Sequence, residues 1–114
     1  MDLFNIINEL EARADTARAL DMSRYMKNRF PFFGIQAPIR DEICKPYFKD
    51  AKKEKKIDWD FVEYCWQHEK RECQYIAAHY LKSLQKFLEI TDFGRSFAKA
   101  ISVISYKEIM VGYS

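Results

Sequence analysis

Apolar residues return every three or four positions in block after block of this chain, the spacing that puts them on one face of a helix. Leu3, Ile6, Ile7 and Leu10 form a first stripe, and Ala19, Met22, Met26 and Phe30 form a second after the turn-like Asp15 and Thr16. A third helix begins with Pro38, whose missing N–H costs nothing in a first turn, and continues the apolar spacing with Ile39, Ile43 and Tyr47. Pro46 is expected to bend or end it early. Asp58 reads as the N-cap of a fourth helix with Val62, Cys65 and Trp66 facing the core. Cys73, Ile76, Ala77, Tyr80, Leu81 and Leu84 give a fifth, the cleanest stripe in the chain. Thr91 or Asp92 can cap a sixth, with Phe93, Phe97, Ala100, Ile101 and Ile104 inward. The run "KDAKKEKK", residues 49 to 56, has only Ala51 as an apolar anchor and reads as a solvated helix end and loop, the clearest internal boundary.

Six helices of about 10–16 residues joined by short connections predict an all-α fold of antiparallel pairs, stacked in about three repeats as in a HEAT-like α-solenoid. Periodicity alone allows a plain helical bundle as well. Only three glycines and three prolines argue against the many turns of a β fold, and 114 residues suit a single domain spanning 1 to 114.

Charge sharpens this picture. Nineteen Lys and Arg against 17 Asp and Glu leave a net charge of +2, so any attraction to phosphate must come from a local cluster. No apolar run approaches the roughly 20 residues that span a bilayer, and the opening "MDLFNIINEL" lacks the features of a secretory leader. The three cysteines have no CxxC spacing and signal neither a disulfide framework nor a zinc knuckle. These features predict a cytoplasmic protein with no membrane partner. Cys65, His68, Cys73 and His79 hold four soft donors within a short span, but Cys73 lies on an apolar stripe and His79 falls off it. No metal and no cofactor is expected.

The stretch "NRFPFFGIQAP" between the second and third helices carries more apolar weight than a solvated loop needs. Gly34 permits a positive φ, and Pro31 and Pro38 stiffen the path, which predicts a rigid, partly buried connection. Arg24, Lys27, Arg29 and Arg40 surround it, and Tyr25 and Gln36 offer hydrogen bonds, so a phosphate backbone could be met here. Read from residue types alone, the favoured reading is that the aromatics plug the space between helix pairs while the basic side chains are simply solvated.

"YMKNRFPFFGIQAP" resembles the N-terminal signature of the AlkD-like DNA alkylation repair family, approximately YMKN-x-F-x-F-x-GI-x-TP. "YCWQHEKRECQYIAAHYL", residues 64 to 81, is similar to a second family segment, a Trp followed by a P-E-R-E-like turn and an aromatic, alanine-rich helix. The two lie in the family's order, and the resemblance covers most of residues 1 to about 100. It implies HEAT-like repeats with a concave basic surface for duplex DNA carrying alkylated bases, and an activity that excises cationic N3- and N7-alkylpurines. Such a base already leaves well, so a carboxylate and an aromatic face need mainly stabilise an oxocarbenium-like sugar. By motif, Tyr25 and Gln36 match positions that approach the DNA around the lesion. Lys27 and Arg40 join them on charge and proximity.

The chain departs from the family where the chemistry is expected. The family's catalytic motif, S-W-W-D-x-V-D, corresponds here to "SYKEIMVGYS". Ser105 on the motif's serine puts Lys107 at the key Trp, Glu108 at the first Asp and Val111 at the catalytic Asp. No catalytic residue is therefore assigned. Family members are about twice as long, so the chain reads as an N-terminal portion of that architecture, whose exposed C-terminal repeat invites self-association. "DWD", residues 58 to 60, reads as capping and packing and not as a substitute catalytic pair. The alternative function is a non-catalytic helical-repeat scaffold that binds a protein partner.

Overall fold

A computed structural model describes residues 1–88. They form five helices and no strand: α1 (Asn5–Ala12), α2 (Thr16–Tyr25), α3 (Ala37–Glu54), α4 (Trp59–Gln67) and α5 (Arg71–Ser83), followed by a 3-10 turn at Gln85–Phe87. The expected sixth helix from Thr91 or Asp92, with Phe93, Phe97, Ala100, Ile101 and Ile104, lies outside the described residues.

Starts and stops follow local chemistry. The side chains of Asp15 and Asp58 accept from Arg18 N at 3.0 Å and Phe61 N at 3.1 Å, each satisfying a first-turn N–H that has no partner within the helix. Pro38 sits in the first turn of α3, as its spacing predicts. The expectation that Pro46 shortens α3 is corrected, because the helix runs 18 residues through it and ends at Lys55 in the left-handed region, φ 57°. Glu42, Lys45 and Pro46 all face solvent, so water can take up the hydrogen bond Pro46 cannot make, while Ile43, Cys44, Tyr47, Phe48 and Ala51 stay buried on the other face. Packing on that face outweighs the broken rung.

The second stripe is also corrected. α2 stops at Tyr25, and Lys27 (φ 59°) and Asn28 (φ 58°) take the left-handed conformation, so Met26 and Phe30 lie beyond the helix. Asn28 N donates to Ser23 O at 2.7 Å and the Ser23 hydroxyl donates to Phe30 O at 3.2 Å, which turns the chain away from the axis of α2.

Two apolar clusters result. The larger joins the stripes of α1, α3, α4 and α5, with Ile6, Leu10, Phe61, Cys65, Cys73, Ile76 and Leu84 fully enclosed. Here α4 packs on α5, and α3 packs on both α1 and α5. Phe48, Tyr80, Phe61 and Phe4 follow one another at ring-centroid distances of 5.7, 5.3 and 5.6 Å. The Tyr80 hydroxyl accepts from Asp58 N at 2.8 Å, which fixes the start of α4 onto α5. The smaller cluster holds Met22, Phe32 and Tyr75, with Ala19, Met26 and Phe30 against it. Trp66, expected in the core, is half-buried and packs on both clusters. α5 is thus buried on two sides: its predicted stripe faces the large cluster and Tyr75 faces the small one.

Candidate functional site

The connection from Met26 to Gln36 carries the residues that the sequence singles out, and its conformation has an identifiable cause. Phe32, Phe33 and Ile35 are buried, so the path is fixed in part by apolar burial. Gly34 has φ 95°, and a Cβ there would lie 2.1 Å from Asp15 O and 2.8 Å from Ala19 N. Only glycine lets the connection pass this close to the start of α2. Asp15 N donates to Phe33 O at 2.9 Å across the same contact.

The other side of the connection is held by the first residues of α5. Glu72 is fully buried, and its carboxylate accepts from three consecutive backbone N–H groups: Phe33 at 2.9 Å on Oε1, with Gly34 at 2.9 Å and Ile35 at 3.1 Å on Oε2. Arg71 N donates to Pro31 O at 2.9 Å. Its guanidinium lies 3.8 Å from the centroid of the Phe30 ring and 5.6 Å from that of Tyr75, and it donates to Gln74 Oε1 at 2.7 Å. Stacked contacts of this kind are worth on the order of 2 kcal/mol when desolvated.

The four predicted site residues divide. Tyr25, at the end of α2, is 63% exposed, and Lys27 beside it is exposed. Gln36 is half-buried at the N-cap position of α3, where its side chain makes no capping bond. Arg40 is different: it is 1% exposed, with its guanidinium 4.9 Å from the Tyr75 centroid. Burial pushes it below the usual arginine range, against the opposing pull of Asp41, Cys44, Glu72 and Tyr75. Arg40, Tyr75, Arg71 and Phe30 therefore form an alternating ladder of cations and rings beneath the connection, and Arg40 supports the surface from inside.

Local charge is concentrated where the residues are exposed. Residues 13 to 29 contain five basic side chains, Arg13, Arg18, Arg24, Lys27 and Arg29, against Asp15 and Asp21, while the whole chain carries only +2. An open cleft of about 650 Å³ between α3 and α5 is of mixed charge, with Lys45, Lys49 and Lys52 beside Asp41 and Glu42. A cleft of about 590 Å³ on another side is lined by Asp2, Asp50, Glu54, Asp58 and Asp60 and has the wrong sign for a polyanion.

The remaining soft donors are structural. Burial pushes the Cys44 thiol up to about 12 and raises Cys65 and Cys73 as well, which keeps all three as unreactive thiols. His68 Nδ1 accepts from Lys70 N at 3.0 Å, and His79 Nδ1 lies 3.3 Å from Asp41 Oδ1. Among the described residues no group of three or more His, Cys, Asp or Glu side chains could hold a metal ion, and no helix is long and apolar enough to cross a membrane.

Sequence reasoning missed Glu72. The signal was present: Glu72, Ile76 and Tyr80 fall on one face at steps of four, so a carboxylate lies in register with the apolar stripe and must find donors inside. With both oxygens engaged by backbone N–H groups, Glu72 is not available as a substitute catalytic carboxylate. The segment bearing Ser105, Lys107, Glu108 and Val111 lies outside the described residues.

Comparison with known proteins agrees with the signature. A family model described as DNA alkylation repair enzyme matches residues 6–106 of the chain. No curated protein and no solved structure matches it.

Proposed function

Since the chain belongs to the DNA alkylation repair enzyme family, we propose that it binds duplex DNA carrying N3- or N7-alkylated purines, through Tyr25, Lys27 and Gln36. The observation that carries this reading is the pairing of a rigidly held connection with an exposed basic edge, Arg24, Lys27 and Arg29, on a chain that is otherwise close to neutral. Lysines and arginines that neutralise phosphates supply affinity, and a tyrosine and an amide on a fixed backbone supply contacts that depend on position. Arg40 acts from beneath, by holding Tyr75. On this reading the helix pairs stack as HEAT-like repeats.

Excision is not assigned to this chain's residues. In register with the family motif, Lys107 and Val111 stand where the Trp and the catalytic Asp are expected. A lysine at the Trp position would oppose a sugar that becomes cationic in the transition state, and a valine at the Asp position carries no charge to stabilise it.

The test is fluorescence anisotropy with methylated duplex DNA across a salt series, followed by single-turnover release of 7-methylguanine. The expected result is binding that weakens steeply with salt, no release, and a Lys27→Ala variant whose log–log salt slope is shallower by about 0.9. Absent or salt-insensitive binding would favour the scaffold that binds a protein partner. Release would show that the catalytic residues have been misplaced.

A further inference from the structure

We infer that Glu72 is a positioning residue for the proposed DNA face: its buried carboxylate fixes the backbone of Phe33, Gly34 and Ile35, and through it the relative placement of Tyr25, Lys27 and Gln36. This rests on the DNA-binding reading above. Three consecutive N–H groups converge on one carboxylate at 2.9, 2.9 and 3.1 Å, an arrangement that leaves the segment 33–35 a single path.

Two of these residues are tied on their other side to the start of α2. Phe33 O accepts from Asp15 N at 2.9 Å, and Gly34 lies against the Asp15 carbonyl. Gln36 follows at once, with φ −71° and ψ 158°, as the N-cap residue of α3. The carboxylate therefore joins three elements: α5, which bears it; α2, which ends in Tyr25; and α3, which Gln36 opens. Arg71 adds a fourth tie through Pro31 O. Without the carboxylate, three N–H groups in a buried segment would have to find water, and the connection would have to open to admit it.

Glu72→Gln separates this role from electrostatics by the sign of the change. The substitution removes one negative charge from a protein that binds a polyanion, so charge alone predicts equal or tighter binding. It also turns an N–H₂ group toward backbone donors, so a positioning role predicts weaker binding. The expected result for the full 114-residue chain is a loss of about tenfold in affinity for methylated duplex DNA, or about 1.4 kcal/mol. Hydrogen exchange should show faster amides at Phe33, Gly34 and Ile35 while those of Ile76 and Ala77 stay protected.

Binding that is unchanged or tighter in Glu72→Gln would overturn the role while leaving the DNA reading in place. Failure of the wild-type chain to bind would remove the DNA reading and this role with it. Should the variant not fold, the wild-type amides decide. Protection at 33–35 equal to that of Ile76 and Ala77 supports the clamp, and rapid exchange there overturns it.

Discussion

The two apolar clusters are built on different principles. The larger one is closed mainly by helix faces, with Phe33 and Ile35 of the connection set into it, and its buried members carry no charge. The smaller one has three buried members, Met22, Phe32 and Tyr75, of which only Phe32 belongs to the connection, so it gives that segment little apolar support of its own. It is completed by ions placed inside: the Glu72 carboxylate on three N–H groups and the Arg40 and Arg71 guanidiniums on the Tyr75 and Phe30 rings. Nonpolar packing tolerates many arrangements of similar volume, whereas a charge taken out of water must be met by particular partners. The division suits a molecule whose stability lies in one place and whose exact surface geometry matters in another.

Phe61→Ala tests the larger cluster. Its ring is fully buried between Phe4 and Tyr80, so truncation should cost about 3–5 kcal/mol in denaturant unfolding. That loss should appear in every amide of α1, α4 and α5 alike. Protection lost only near residue 61 would mean that the cluster is not the cooperative unit described.

Gly34→Ala tests the smaller one. The new methyl would meet backbone atoms, not a side chain that can swing away, and would sit at a φ that L residues rarely adopt. A cost on the order of 3 kcal/mol follows. It should be concentrated in the connection and α2, detected as raised exchange at Asp15, Phe33 and Ile35 with the amides of α4 nearly unchanged. A uniform loss across the chain would show that the two clusters unfold as one.

The same contrast explains what the sequence made legible. Helix stripes report on packing between faces, so α1, α4, α5 and most of α3 could be read from spacing, as could the Asp58 cap and the positive φ of Gly34. The second cluster depends on contacts between residues nearly 40 positions apart, and spacing carries no such information. Arg40 and Glu72 mislead in the same way. Each stands in the first turn of a helix in register with its apolar stripe, Arg40 with Cys44 and Phe48, Glu72 with Ile76 and Tyr80. Charge suggests solvent, but register decided the outcome. Pro46 is the converse: a residue that breaks helices when isolated is carried by the packing on either side of it.

Helix caps give a smaller and more local comparison. Asp58→Ala and Asp15→Ala each remove one carboxylate acceptor from a first-turn N–H, at about 1 kcal/mol apiece. The consequences should differ. α4 is held by Phe61, Val62 and Cys65, whereas α2 buries only Met22. Loss of the Asp15 cap should therefore fray α2 measurably by circular dichroism at moderate temperature, while loss of the Asp58 cap should lower overall stability without local fraying. Equal fraying in both would contradict the view that α2 is the less supported helix.

The smallest effect is expected at His79, where α3 and α5 meet. Burial holds its imidazolium below the usual 6.5, and Arg40 and Lys82 push the same way against Asp41 at 3.3 Å. Between that lowered value and 6.5 the unfolded chain binds more protons than the folded one, so stability is full above 6.5 and falls as the pH drops through the window. One site can contribute no more than about 1.4 kcal/mol per pH unit. Other groups titrate in the same range, so the measurement is the difference between the wild type and His79→Gln in urea midpoints from pH 7.5 to about 5. The wild type should lose stability faster than the variant. A steeper fall in the variant would mean that the Asp41 contact outweighs burial, and that the α3–α5 junction is held by an ion pair and not by exclusion of charge.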